Sequence, residues 1–150
     1  MIVVAPADPR DDGPAGLLAQ SHSLMSSLFP AEANHYLDID ALCADHIRFF
    51  AARDGDRTLG TGALAIEDGY GEVKSMFTHP DARGKGVAAA ILRMIEDTAR
   101  DEGLALLRLE TGTGLNAAHK LYEWFGFVQR GPFGAYSESP HSLFYEKALQ

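Results

Sequence analysis

The sequence predicts a mixed α+β fold, a mostly antiparallel sheet that carries one parallel strand pair. Two observations predict it. Three strand-like runs joined by tight turns fill His46–Thr78, and short turns join antiparallel neighbours. The stretch Glu72–Glu110 then reads strand–helix–strand, a unit whose two strands must run parallel with a right-handed crossover. At 150 residues the chain fits a single domain, 1–150, with one core.

Taken in order, Met1–Ala5 is a short apolar run closed by Pro6 and Pro9, a first strand. Asp11 and Asp12 supply the acidic start of a helix that runs to about Leu28, before Pro30. Ala31–Asp45 is weakly patterned and holds a short helix around Asp40–Asp45. His46–Arg53 and Thr58–Glu67 form a hairpin about Asp54-Gly55-Asp56-Arg57, and Asp68-Gly69-Tyr70-Gly71 turns the chain into Glu72–Thr78. From Val87 to Glu102, residues Val87, Ile91, Met94, Ile95, Thr98 and Ala99 recur at helical spacing, with Gly103 to end the helix. Leu104–Glu110 is dense enough in apolar residues for a buried strand. Asn116–Phe125 reads as a helix stopped by Gly126, and Phe127–Arg130 and Ser142–Lys147 close the sheet.

Thirteen Lys+Arg against 21 Asp+Glu give a net charge of −8. That balance disfavours nucleic acid and anionic membrane and favours a cationic partner. The lone Cys43 leaves no internal disulfide and no multi-cysteine zinc site, and the six histidines show no HExxH spacing, so no metal is expected. No apolar run reaches the roughly 18 residues of a membrane helix, and the N-terminus lacks a basic n-region. A cytoplasmic protein is the expectation.

The most informative segment is His79-Pro80-Asp81-Ala82-Arg83-Gly84-Lys85-Gly86-Val87-Ala88, between a strand and the start of the long helix. A helix N-terminus offers unpaired N–H groups and the positive end of its dipole. Gly84 and Gly86 let a phosphate approach the backbone, while Arg83 and Lys85 add positive charge. The segment is a phosphate or pyrophosphate cradle, or else a solvated loop that only starts a helix. A Walker A reading fails, because Gly86 rather than Ser or Thr follows Lys85. A dinucleotide loop fits GxGxxA over Gly84–Ala89, with Glu110 about 20 residues on. Against it, Thr78–Ala82 separate strand from glycines, a meander precedes the motif, and 40 residues after Glu110 are too few for a second nucleotide half.

Arg83-Gly84-Lys85-Gly86-Val87-Ala88 resembles the Q/R-x-x-G-x-G/A coenzyme A loop of the GCN5-related N-acetyltransferases (GNAT). Asn116-Ala117-Ala118-His119-Lys120-Leu121-Tyr122-Glu123-Trp124-Phe125-Gly126-Phe127 is similar to that family's N-x-x-A-x-x-L-Y-E-x-x-G-F signature, and the resemblance spans about His46–Lys147. It implies a sheet whose one parallel pair is splayed, with helices on both faces. It also implies an acyltransferase that moves an acetyl group from acetyl-CoA to a primary amine of a small molecule or peptide. The alternatives are a non-catalytic acyl-CoA-binding sensor on the same fold, or a dinucleotide-binding oxidoreductase.

The resemblance assigns the pantetheine edge to Met76, Phe77 and Thr78, and the pyrophosphate to the amides of Arg83, Gly84, Lys85, Gly86, Val87 and Ala88. Met76 and Phe77 can pack in the core at the same time. A main-chain N–H near Phe77 would hold the oxyanion. Tyr122 takes the role of acid for the leaving thiolate, or is an interface aromatic. Glu72 takes that of base, or is a strand-end charge; even spacing places it on one sheet face with Met76. Asn116 caps its helix, touches the coenzyme, or does both. Glu110 points into the splayed gap or pairs with an arginine. Acceptor specificity falls to Ser21–Asp45 and Phe133–His141, where His35, Tyr36, Phe133, Tyr136 and His141 line a pocket or pack the loops. A homodimer through the late strands is compatible with the family.

Overall fold

The computed structural model describes residues 1–149. Its seven strands are β1 (Val3–Pro6), β2 (Ile47–Asp54), β3 (Arg57–Ile66), β4 (Gly71–Thr78), β5 (Leu106–Gly112), β6 (Val128–Arg130) and β7 (Ser142–Ala148). The helices are α1 (Asp12–Leu28), α2 (Ile39–Leu42), α3 (Val87–Asp101) and α4 (Asn116–Trp124). The strands lie in the order β1-β2-β3-β4-β5-β7-β6. Every neighbouring pair is antiparallel except β4 and β5, which are parallel as the crossover through α3 requires.

Alternation along β3 sorts the two faces. Leu64 packs with Ile91, Leu92 and Ile95 of α3, together with Val73, Leu107 and Tyr122. Its neighbours Ala63 and Ala65 turn to the opposite face, where they meet Leu18 of α1 with Leu42, Ile47 and Phe49. The sheet is therefore covered on both sides, and α3 and α4 share a face that α1 does not.

Several boundaries differ from the sequence reading for local reasons. The Leu104 N–H bonds the Ala99 carbonyl behind Gly103 (φ 76°), so Leu104 finishes α3 and β5 begins at Leu106. Pro6 belongs to β1, an edge strand, where a missing N–H costs no ladder bond. Asn116 is the first residue of α4; Leu115 occupies the cap position, so the capping role expected of Asn116 is corrected. Trp124, the one tryptophan, ends α4 and is 77% exposed.

Candidate active site

β4 and β5 pair only at Gly71↔Leu107 and Glu72↔Arg108. Beyond these points β4 continues to Thr78 and β5 to Gly112 with no mutual pairing. The two strands diverge, and the β5-facing edge of β4 after Glu72 lacks a strand partner.

A β-bulge sits on the diverging part of β4. Thr61 stands opposite Phe77 and Ala63 opposite Lys74, so β4 carries one residue more than β3 over this span. Ser75 has φ 56°, the one positive value among the described non-glycine residues. The fully buried Thr61 hydroxyl donates to the Ser75 carbonyl at 2.9 Å and pins the kink. The extra residue also exchanges the faces. Glu72 and Lys74 lie opposite Ala65 and Ala63, on the α1 side, whereas Met76 packs into the α3-side core. The expectation that Glu72 and Met76 share a face is therefore corrected, because period-2 spacing fails across a bulge.

A cavity of about 150 Å³ lies in the gap, with walls drawn from both faces of the sheet. Leu115, Ala118 and Tyr122 line it from the α4 side, and Met25, Phe29 and His35 from the α1 side. Ser75, Met76 and Glu110 stand between.

Tyr122 is buried, its ring edge-on to Phe127 at 5.8 Å between centroids. Burial pushes its phenol pKa well up, and the nearby Glu110 charge adds to the shift. The phenol therefore stays protonated through the neutral range. Glu110 lines this same cavity and accepts a hydrogen bond from the Ser142 hydroxyl at 2.8 Å. No arginine pairs with it among the described residues. Burial raises the Glu110 pKa above its ordinary 4.5, against the lowering pull of the Ser142 bond, His35 and Lys74.

Glu72 is placed differently. Its Oε2 accepts from the Tyr136 hydroxyl at 2.5 Å and lies 3.4 Å from the Lys74 ammonium. Glu72 faces a second cavity, of about 460 Å³, with Tyr36, Tyr70 and Tyr136 in its walls; Tyr122 is not part of that lining. Of the residues suggested for the acceptor pocket, His35, Tyr36, Tyr136 and His141 line one cavity or the other. Phe133 is instead packed among Tyr70, Tyr136 and Phe144.

The glycine loop follows the free end of β4. Gly84 and Gly86 have φ 79° and 80°, left-handed conformations that a side chain would strain. Gly86 occupies the N-cap of α3 with no side-chain cap bond, so the first-turn N–H groups keep no internal side-chain acceptor. Arg83 and Lys85 are exposed and make no ion pair among the described residues; the neighbouring Asp81 is bound to Arg57 at 3.0 Å instead. Amides, dipole and two uncommitted cations converge at the wide end of the gap. An anionic group fits there.

The sequence profile described as the Acetyltransferase (GNAT) family matches residues 18–127. The chain belongs to this acetyltransferase family. It is 44% identical over 150 residues to the IAA acetyltransferase of Azospirillum brasilense, covering 99% of this chain and 98% of that protein. The uncharacterized N-acetyltransferase YedL of Escherichia coli (strain K12) is 40% identical over 136 residues, covering 89% and 86%. A Klebsiella pneumoniae crystal structure described as an acyl-CoA N-acyltransferase superposes with a TM-score of 0.84 at 28% identity, covering 100% and 99% of the two chains. PaiA N-acetyltransferase of Thermoplasma acidophilum, in complex with coenzyme A, shares the fold at a TM-score of 0.75 and 15% identity, covering 99% of each chain. The protein is thus a GNAT-type N-acetyltransferase, a family that uses acetyl-CoA. The dinucleotide-oxidoreductase alternative falls with this membership.

Lys74 and Ser75 line the gap but were not singled out from the sequence; Phe29, also in the lining, falls inside the Ser21–Asp45 region assigned to the acceptor. Lys74 carries a signal that could have been used: a lysine two residues from Glu72 on a strand shares its face. Ser75 carries none, since nothing in its residue type announces a left-handed backbone.

Proposed function

We propose that the protein transfers the acetyl group of acetyl-CoA to a primary amine of a small molecule or peptide, by direct attack of the amine on the thioester inside the gap. The observation that carries this reading is the cavity between the diverging strands, walled by residues of both sheet faces. Donor and acceptor can enter from opposite faces and meet between β4 and β5. The pyrophosphate rests on the amides of Arg83–Ala88. The free edge of β4 at Met76, Phe77 and Thr78 pairs with the pantetheine amides as an added strand would. Asn116, exposed at the start of α4, lies at the coenzyme side.

In the reaction the amine nitrogen bonds the carbonyl carbon, and the carbon–sulfur bond breaks. A main-chain N–H near Phe77 holds the developing oxyanion. The Tyr122 phenol, protonated through the neutral range, gives its proton to the departing thiolate. For the base we favour Glu110 over Glu72. Glu110 stands in the Tyr122 cavity with burial raising its affinity for a proton. Glu72 is already engaged by Tyr136 and Lys74 in the neighbouring cavity.

The test is release of free thiol from acetyl-CoA in the presence of an amine panel that also includes IAA, because the Azospirillum relative is named for it. Amine-dependent thiol release supports the reading. Tight acetyl-CoA binding without release for any acceptor would instead make the protein an acyl-CoA-binding sensor, and no binding would remove the reading altogether.

A further inference from the structure

Lys74 and Glu72 form a pair of opposite charges whose side chains are only 11% and 10% exposed. Such pairs add little net stability, because desolvation offsets their attraction; what they supply is fixed geometry. The Lys74 ammonium donates to the His35 carbonyl at 2.9 Å and to the Tyr136 hydroxyl at 3.0 Å, and lies 3.4 Å from the Glu72 carboxylate as an ion pair. The Tyr136 hydroxyl in turn donates to Glu72.

These bonds join parts of the chain that have few other ties. Among the described residues, the Lys74–His35 bond is the one hydrogen bond made by residues 35–37. For residues 132–138, the Tyr136 hydroxyl is the one hydrogen-bonding link to anything outside the loop. The rings of His35 and Tyr136 meet edge-to-face at 5.1 Å directly beside the ammonium. Both segments stand over the α1-side mouth of the gap, opposite α4.

We propose that Lys74 is a positioning residue that clasps the 29–38 connector and the 131–141 loop together over the acceptor mouth, and so sets which acceptors enter. The term acceptor rests on the transferase reading above; the clasp itself does not. Lys74 also directly precedes the bulge at Ser75. The strand whose free edge receives the donor therefore also holds the roof on the acceptor side.

The test is backbone 15N relaxation on the full chain, with acetyl-CoA affinity measured alongside. Lys74→Met removes the link to His35, and order parameters at residues 35–37 should fall from about 0.85 to below about 0.6. Tyr136→Phe keeps the Lys74–His35 and Lys74–Glu72 contacts, so order parameters should fall at 132–138 and stay unchanged at 35–37. Acetyl-CoA Kd should stay within about twofold in both variants, and Lys74→Arg should restore rigidity at 35–37. If Lys74→Met does not fold because Glu72 is left unpaired, Glu72→Gln/Lys74→Met removes both charges, and the order parameters at 35–37 are read on it instead. With an amine found by the thiol-release screen, Lys74→Met and Tyr136→Phe should each raise the amine KM at least about fivefold with kcat within twofold. Unchanged order parameters at 35–37 in Lys74→Met would overturn the proposal, as would an equal loss of acetyl-CoA affinity. Wild-type protein that fails to bind acetyl-CoA would defeat the transferase reading instead, and the relaxation data would still decide the clasp.

Discussion

The two halves of β4 share one strand and follow different rules. Gly71–Val73 is hydrogen-bonded to β3 and, at its start, to β5, and it is buried. Lys74–Thr78 keeps β3 on one side only, is kinked at Ser75 and is half-buried. In the first half, packing decides each residue. In the second, main-chain groups are left without a partner, a state that costs free energy unless water or a ligand fills it. The half proposed to bind the donor is the half where the ladder stops.

The largest effect expected belongs to the gap. Tyr122→Phe should lower kcat by roughly 10²–10³-fold, the usual scale for losing a positioned acid, with acetyl-CoA Kd little changed by calorimetry. An unaltered kcat would take the acid role from Tyr122. The paired half should answer in stability instead. A Cβ at Gly71 would stand 2.6 Å from Leu64 and 3.1 Å from Leu107. Gly71→Val should therefore cost about 3 kcal/mol in urea denaturation.

Gly86→Val tests the wide end of the gap, and here the structure adds a cost that glycine spacing alone did not reveal. Space beside Gly86 is open, but its φ of 80° strains any side chain. About 1–2 kcal/mol of stability should go, together with roughly tenfold in acetyl-CoA affinity, an energy of about 1.4 kcal/mol.

The proposal of Glu110 as base carries a pH dependence whose direction is fixed. A base must be ionised, and burial lifts the Glu110 pKa above 4.5. The value of kcat/KM should thus fall with acidification at a pH higher than an ordinary glutamate would give, and Glu110→Gln should remove that limb. Tyr122, with its pKa raised, should add no alkaline limb near neutrality. The smallest effect expected is at the kink. Ser75→Gly relieves the left-handed strain and should leave stability within about 1 kcal/mol of wild type, on the stabilising side.

The order of elements was legible in the sequence because its signals are local. Glycine turns, the 3.6-residue stripe from Val87 to Ala99, and the Arg83–Ala88 loop each declare themselves within a few residues. The site was legible only in part. Tyr122 on α4 and the glycine loop at the start of α3 were placed in the right elements, since each belongs to a helix that the sequence announces. The environment of Glu72 was not legible. It depends on a bulge at a serine and on Tyr136, 64 residues away, and neither a kink without glycine nor a long-range contact is written in spacing. Glu110 was left between two environments for the same reason: its partner is Ser142, on β7.

The exposed end of α4 has a practical consequence. The single indole of Trp124 already stands in water, so its emission maximum should shift little when the chain denatures. The far-ultraviolet ellipticity of α1 and α3 is the signal that follows loss of the native state. For the same reason tryptophan quenching by acrylamide should be high in the folded protein and nearly insensitive to denaturant.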